Sequence, residues 1–214
     1  DTLNLGPDRR SLFHVLKKNL RNGKIKEVYD DDYFQSKLTY QEILDKLVAI
    51  DTLEAGIEQL NAGEELDPQY INRRTITAAE IRQYRIKGTW YVNKRLGELK
   101  YRLLGIAPVA PDVYTLDLPE EEQDLVELFW VWFPDARKSL NASKVFNNRN
   151  SSQPITYDHM LNSRRFNSLI YKEENVYEDR KIEEYIFEDA LKQLLESERV
   201  KSVIRDFEQD LWNN

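Results

Sequence analysis

Hydrophobic residues recur at helical spacing in three parts of the chain. Near its start they predict a helix over Asp8–Gly23, which Asn22 and Gly23 would end. A second helix is predicted after Thr39, because Thr39 and Glu42 have the spacing of a capping box. A long amphipathic helix is predicted over Phe187–Trp212 at the end of the chain. Its apolar positions are Leu191, Leu194, Leu195, Val203, Ile204, Phe207 and Leu211.

The most apolar stretch of the chain, Leu125–Phe133, predicts a strand. Eight of its nine residues are apolar, and Glu127 is the single polar interruption. Because side chains alternate between the two faces of a strand, both faces of this one carry apolar residues and need cover. Pro134 cannot continue a β-ladder and suits the first turn of a helix, which we expect to reach Leu140. The strand is therefore expected deep in a sheet or against a neighbouring molecule.

Shorter patterns predict the remaining elements. Gly97 would join two strands into a hairpin, and Pro108 and Pro111 would end the second of them. Thr156 would cap a short helix over Tyr157–Leu161. Strands are expected at Lys24–Tyr29, Ile86–Asn93, Leu99–Val109 and Phe166–Lys172.

These elements together predict an α+β fold. We expect a mixed or antiparallel sheet with flanking helices and a long C-terminal amphipathic helix, in a single domain over residues 1–214. Residues 52–75 have the weakest pattern, with Gly56, Gly63 and Pro68 among several acids. They are expected to be a loop or an insertion.

Composition and charge exclude several classes of protein. The net charge of −7 argues against binding of nucleic acid, which needs clustered Lys and Arg. The absence of Cys excludes disulfides, thiolate nucleophiles and cysteine-based metal sites. No apolar run is long enough to cross a bilayer, so we expect no direct membrane insertion.

Candidate catalytic and metal-binding residues are few. His14 and His159 are the only histidines, and the run Asp30–Asp32 lacks the ligand spacing of a calcium loop. Ser152, Asp158 and His159 supply the residue types of a catalytic triad, but no nucleophile-elbow sequence surrounds the serine. None of the 38 carboxylates stands out as an acid–base pair. We therefore expect no catalytic residues, no metal and no cofactor.

Aromatic residues favour binding over catalysis. Trp130 and Trp132 lie on one face of the expected strand, where they are either core residues or an interface hot spot. Tyr171, Tyr177 and Tyr185 recur in a charged C-terminal region, either as half-buried core residues or as part of a contact surface.

Several long segments resemble one known family, the gliding-motility proteins GldN and their counterparts PorN. The resemblance is most specific through Trp130–Arg137 and Phe166–Tyr177, and looser through Glu54–Thr75. The matching segments are RRSLFHVLKKNLRNGKIKEVYDDDYF, RLGELKYRLLGIAPVAPDV, FWVWFPDARKSLNASKVFNN, TYDHMLNSRRFNSLIYKEENVYEDRKIEEYI and FEQDLW. Family members carry a further N-terminal segment, so we expect that part to be missing here.

The resemblance implies a non-enzymatic subunit of the type IX secretion machinery of Bacteroidetes. Such a protein would lie in the periplasm, associated with the outer membrane through the lipoprotein GldK (PorK). It would self-associate in a ring and contact the periplasmic domain of GldM (PorM). The expected partner-binding residues are Trp130, Trp132, Arg137, Arg165, Tyr171, Tyr177 and Trp212. Two alternatives stay open, a carboxylate-dependent periplasmic hydrolase and a monomeric adaptor that never assembles alone.

Overall fold

The structure is a computed structural model that describes residues 10–63, 65, 67–145, 153–176, 179–187 and 189–212. Its helices are α1 (Leu12–Arg21), α2 (Tyr40–Leu47), α3 (Glu54–Asn61), α4 (Phe133–Asn141), α5 (Tyr157–Asn162), α6 (Ile182–Tyr185) and α7 (Ala190–Trp212). Its strands are β1 (Val28–Tyr29), β2 (Val48–Thr52), β3 (Ile71–Thr75), β4 (Gln83–Asn93), β5 (Glu98–Pro111), β6 (Leu125–Glu127), β7 (Trp130–Trp132), β8 (Lys144–Val145) and β9 (Ile155–Thr156).

The chain forms two compact units. Unit 1 comprises Asp1–Gly88 and Leu103–Ser163, and unit 2 comprises Thr89–Arg102 and Arg164–Asn214. Strands β4 and β5 therefore have residues in both units. The α+β class and the long C-terminal helix agree with the sequence prediction.

Capping explains where three helices of unit 1 begin. The Ser11 side chain accepts a hydrogen bond from the His14 N–H at the start of α1 (3.2 Å). Thr39 and Glu42 form the predicted capping box of α2. Thr156 caps α5, as expected, by accepting from the His159 N–H (3.2 Å). Each cap satisfies backbone donors that the first helical turn cannot pair.

The main sheet has the strand order β1-β7-β5-β4, and β6 pairs with β5 beside β7. The pairs β1–β7, β5–β7 and β5–β6 are antiparallel. The predicted hairpin is present, with Gly97 at φ +63° in its turn. A glycine there avoids the strain that a side chain would meet at this φ.

The apolar stretch Leu125–Phe133 forms two strands, β6 and β7, and not the single strand predicted. As expected, β7 lies inside the sheet, between β1 and β5. The residues between β6 and β7, Leu128 and Phe129, leave the ladder and are buried. Pro108 lies opposite this break and accepts a hydrogen bond from the Leu128 N–H (3.0 Å). β5 continues past Pro108 and ends at Pro111, the second of the two prolines expected to end it. A proline is tolerated where the ladder is interrupted, since no partner there requires its missing N–H.

Residues 52–75 contain regular structure. They include the end of β2, α3, a turn of 3-10 helix at Pro68–Tyr70 and all of β3. β2 and β3 pair antiparallel, from Val48 with Thr75 to Thr52 with Ile71. Whether this segment is an insertion within its family stays a prediction.

The core of unit 1 forms where α1 and α4 pack near β5 and β7. The rings of Phe13 and Phe129 stack with centroids 6.4 Å apart, and both are buried. The Tyr84 hydroxyl accepts from the Phe13 N–H (3.0 Å), and the Tyr157 hydroxyl donates to the Arg10 carbonyl (2.7 Å). Burial raises the pKa of Tyr84 to about 12, so its hydroxyl stays neutral. These two tyrosines are structural.

Unit 2 contains no strand at Phe166–Lys172, so that prediction was wrong. Lys172 and Lys181 form an isolated β-bridge, which does not extend into a ladder. The Ile170 N–H donates to the Ser197 hydroxyl of α7 (2.8 Å). The Ile170 amide thus bonds a helix side chain and not a neighbouring strand.

Candidate interaction surfaces

Trp130 belongs to the core of unit 1, because its side chain is completely buried. Its indole Nε1–H donates to the Glu127 carboxylate, which also forms an ion pair with Arg85. Glu127, the only polar residue of the apolar stretch, thus supplies the acceptor that a buried indole requires.

Trp132 is half-buried and contacts the loop of residues 30–36. The ring of Phe34 meets the Trp132 ring edge-on, with centroids 4.8 Å apart, and also lies edge-on to Trp130 at 6.3 Å. Phe34 has a φ of +60°, which L-residues rarely adopt. Gly105 faces it, and a Cβ at Gly105 would come within 2.5 Å of the Phe34 ring. The aromatic cluster therefore depends on a glycine that the sequence did not single out.

Asp31 holds this loop in shape. Its carboxylate accepts hydrogen bonds from the backbone N–H groups of Tyr33 (2.8 Å) and Ser36 (2.8 Å). Burial of the carboxylate would raise its pKa, but the backbone donors of Ser36, Gln35 and Tyr33 bring the pKa below its ordinary value. The run Asp30–Asp32 therefore includes an acid that shapes the loop.

Arg137 forms an ion pair within unit 1. Its guanidinium donates to both carboxylate oxygens of Asp158, at 2.9 and 3.3 Å, and so ties α4 to α5. The Arg137 side chain is nevertheless 55% exposed. One edge of the guanidinium is used by the fold, while much of the side chain faces solvent.

The other expected partner-binding residues lie in unit 2 or outside the described residues. Arg165 is exposed and forms no ion pair with any residue that the structure describes. Tyr171 is half-buried, and its carbonyl accepts from the Ile182 N–H (2.8 Å). Tyr177 and the side chain of Trp212 lie outside the described residues. Whether any of the seven residues contacts a partner stays a prediction.

Apolar side chains of α7 lie both on the side of the helix that packs within unit 2 and on an exposed side. Ser197 and Val200 are buried, and Ile204 one turn further is half-buried. Leu191 and Leu195 project from a different side of the helix and are 66% and 60% exposed. Phe187, just before the helix, is 75% exposed. We call Phe187, Leu191 and Leu195 the α7 apolar patch.

The end of the β4–β5 hairpin, residues 89–102, carries a cluster of aromatic and basic side chains that the sequence prediction missed. Trp90 and Tyr101 pack at 5.2 Å, and the Arg164 guanidinium lies 5.0 Å from the Trp90 ring. Arg102 lies 5.0 Å from the Tyr91 ring. The signal that could have revealed this cluster was the concentration of three aromatic and four basic residues within residues 89–102.

The described part of the chain offers little for catalysis. No group of three or more His, Asp or Glu side chains there could hold a metal ion. Asp158 is engaged by Arg137 and by the Asn162 side chain (3.0 Å), and Ser152 lies outside the described residues. None of the described helices is sufficiently long and apolar to span a membrane.

One known family matches nearly the whole chain. The sequence matches the family described as "Gliding motility associated protein GldN" over residues 3–213. The chain belongs to the GldN family. It is therefore a component of gliding motility and type IX secretion. No curated protein matches the chain.

Proposed function

We propose that this GldN family member is a non-enzymatic structural subunit of the type IX secretion machinery. It assembles as a ring in the periplasm with the lipoprotein GldK (PorK), through which it associates with the outer membrane. It also contacts the periplasmic domain of GldM (PorM). Its work is to present surfaces to neighbouring proteins.

The observation that carries this proposal is the α7 apolar patch. Large apolar side chains scattered singly on a surface need no explanation, but neighbouring ones mark contact sites. Leu191 and Leu195 are one helical turn apart on one side of α7, and Phe187 lies three residues before the helix begins. Removing them from water against a partner would contribute roughly 1.5–3 kcal/mol for each side chain that becomes fully buried.

The surroundings of the patch suit a partner contact better than a membrane. Charged side chains interrupt the same turns of α7, with the ion pairs Lys192–Asp189 (3.0 Å) and Arg199–Glu196 (2.7 Å) nearby. Such a mixture of apolar centre and charged rim is typical of a protein interface.

The test is a pull-down of the GldK and GldM periplasmic fragments by the native chain and by the variant L191S/L195S. We expect the variant to lose at least one partner, or to bind it about tenfold more weakly or worse, while its thermal stability is unchanged. The matched control is I50S/I57S, because Ile50 and Ile57 are exposed residues of unit 1 at 62% and 47%. The control should bind as the native chain does.

Imaging of the complexes then separates a ring from the adaptor. A ring should appear as closed assemblies with many copies of the chain. A complex that keeps one copy per partner at every concentration would support the monomeric adaptor instead. Failure of the native chain to bind either fragment would overturn the proposal.

A further inference from the structure

Charge is strongly segregated between two consecutive segments of the chain. Residues 82–102 contain seven Lys or Arg residues and one acid, Glu98. Residues 103–136 contain eight acids and no Lys or Arg at all. In a chain with a net charge of −7, the first segment is a local concentration of positive charge.

The fold uses the basic residues nearest the start of this segment. Arg82 pairs with Glu120 (2.7 Å), Arg85 pairs with Glu127, and Lys87 pairs with Asp32 (3.5 Å). All six residues belong to unit 1. Two of the three ion pairs join residues 82–102 to residues 103–136, so these two stretches already attract each other within the fold.

The hairpin end, residues 89–102, keeps unused positive charge. Lys94, Arg95 and Arg102 are exposed and form no ion pair with any described residue. Lys94 and Arg95 stand in the turn itself, next to Leu96, which is 58% exposed. This end of the hairpin thus combines positive charge with an apolar tip.

The acidic segment, which we define as residues 112–125, keeps the complementary charge. Glu121, Glu122 and Asp124 are exposed and pair with no Lys or Arg in the described chain. Exposed apolar side chains stand on both sides of them, at Leu118 and Leu125. The segment therefore has the same mixture as the hairpin end, with the opposite charge.

We propose that the hairpin end of one copy of this chain docks on the acidic segment of a second copy. The proposal rests on the proposed function and identifies the two surfaces that a ring requires. A closed ring needs a heterologous interface, in which two different surfaces of each subunit are complementary. The hairpin end and the acidic segment are two such surfaces, and every copy carries both.

A second copy explains these observations better than an anionic membrane or a nucleic acid. Either of those would use the hairpin end and would be repelled by the acidic segment and by the net charge of −7. A second copy uses both surfaces and brings Leu96 towards the apolar residues Leu118 and Leu125. Opposite potentials would also fix which surface meets which.

The test uses charge reversal on each surface of the native chain, followed by sedimentation velocity over a range of concentrations. The hairpin variant is K94E/R95E and the acidic-segment variant is E121K/E122K. Each alone should weaken self-association by about a hundredfold or more, because like charges then face each other. The control K24E/R73E reverses two exposed cations of unit 1 that form no ion pair with described residues, and it should associate as the native chain does.

Two recombinations make the test specific to this pair of surfaces. An equimolar mixture of K94E/R95E and E121K/E122K should assemble again, because each variant supplies the surface that the other needs. The fourfold variant K94E/R95E/E121K/E122K should also assemble by itself. Loss of folding cannot produce either rescue.

Three results would overturn the inference. The first is single reversals that associate like the native chain. The second is a native chain that stays monomeric both alone and with the GldK fragment; if it still binds that fragment, the proposed function survives. The third is binding to phosphatidylglycerol vesicles that K94E/R95E abolishes while self-association is unchanged, which would assign the hairpin end to a membrane.

Discussion

Trp130 and Trp132 are two residues apart in β7, but their surroundings differ. Trp130 is fully buried and bonded to Glu127, whereas Trp132 is half-buried beside Phe34. We expect W130A to lower the free energy of unfolding by about 3–5 kcal/mol, because it leaves a large cavity in the core. W132A should lower the free energy of unfolding by clearly less.

Urea denaturation of both variants measures this difference. Equal losses of unfolding free energy in the two variants would contradict this prediction. So would a W130A variant as stable as the native chain. If W132A keeps its stability but loses a partner in the pull-down, its exposed part belongs to an interface. Stability and binding therefore have to be measured on the same variants.

Gly105 is the residue on which the aromatic cluster around Phe34 depends. A methyl group at this position would come within 2.8 Å of two ring atoms of Phe34 and within 3.3 Å of Trp130. We expect G105A to lower the free energy of unfolding by about 1–3 kcal/mol, since a packed site resists an added carbon.

A double-mutant cycle in urea tests the cause of that loss. In the background of F34A the Phe34 ring is absent, so G105A should lower the free energy of unfolding much less than it does in the native chain. Equal costs in both backgrounds would show that Phe34 is not what the methyl group meets.

At the scale of elements, Ser197 connects α7 to the extended segment before α6. Its buried hydroxyl accepts from the Ile170 N–H (2.8 Å). Replacing it with Ala leaves that amide without its acceptor, so we expect S197A to lower the free energy of unfolding by about 1–3 kcal/mol. The Ile170 amide should also exchange its hydrogen faster.

The matched control for this prediction is S202A, on the same helix. Ser202 is half-buried, and among the described residues its hydroxyl accepts only from the Arg205 guanidinium (3.1 Å). S202A should leave both the free energy of unfolding and the exchange rate of the Ile170 amide almost unchanged. Equal effects from the two variants would mean that the helix responds to any loss of a hydroxyl, and not to the bond with Ile170.

The helices were the elements that local sequence predicted best. Capping by Thr39 and Thr156 depends on residues three positions apart, and the period of α7 is visible in sequence alone. Strands were predicted less well, because a ladder depends on residues distant along the chain. The break at Leu128 and Phe129 required knowing that Pro108 lies opposite.

At the scale of the whole molecule, the family could be recognised from sequence, but the surfaces could not. The helical spacing of apolar residues on α7 does not show which of these residues are buried within unit 2. In the structure Val200 is buried, whereas Leu191 is exposed. The sequence also does not distinguish Lys94 from Arg85, because both are cations of the β4–β5 hairpin. Only the structure shows that Arg85 is paired with Glu127 while Lys94 is not paired with any described residue.

The two proposed contacts, one through charge and one through the α7 apolar patch, should respond in opposite ways to salt. Between about 0.1 M and about 1 M salt the Debye length falls from about 10 Å to about 3 Å, so attraction between exposed charges is largely screened. Contact between the hairpin end and the acidic segment should therefore weaken steeply. Binding through the α7 apolar patch should persist or strengthen in a salt such as sulfate, which favours apolar burial.

Sedimentation and pull-down across this range measure the two responses in one preparation. K94E/R95E should remove the salt-sensitive part of assembly, and L191S/L195S should remove the salt-resistant part. Self-association that is indifferent to salt would assign it to apolar contacts and leave the segregated charge without a role in the ring. A partner interaction that disappears with salt would place charge, and not Leu191 and Leu195, at the centre of that contact.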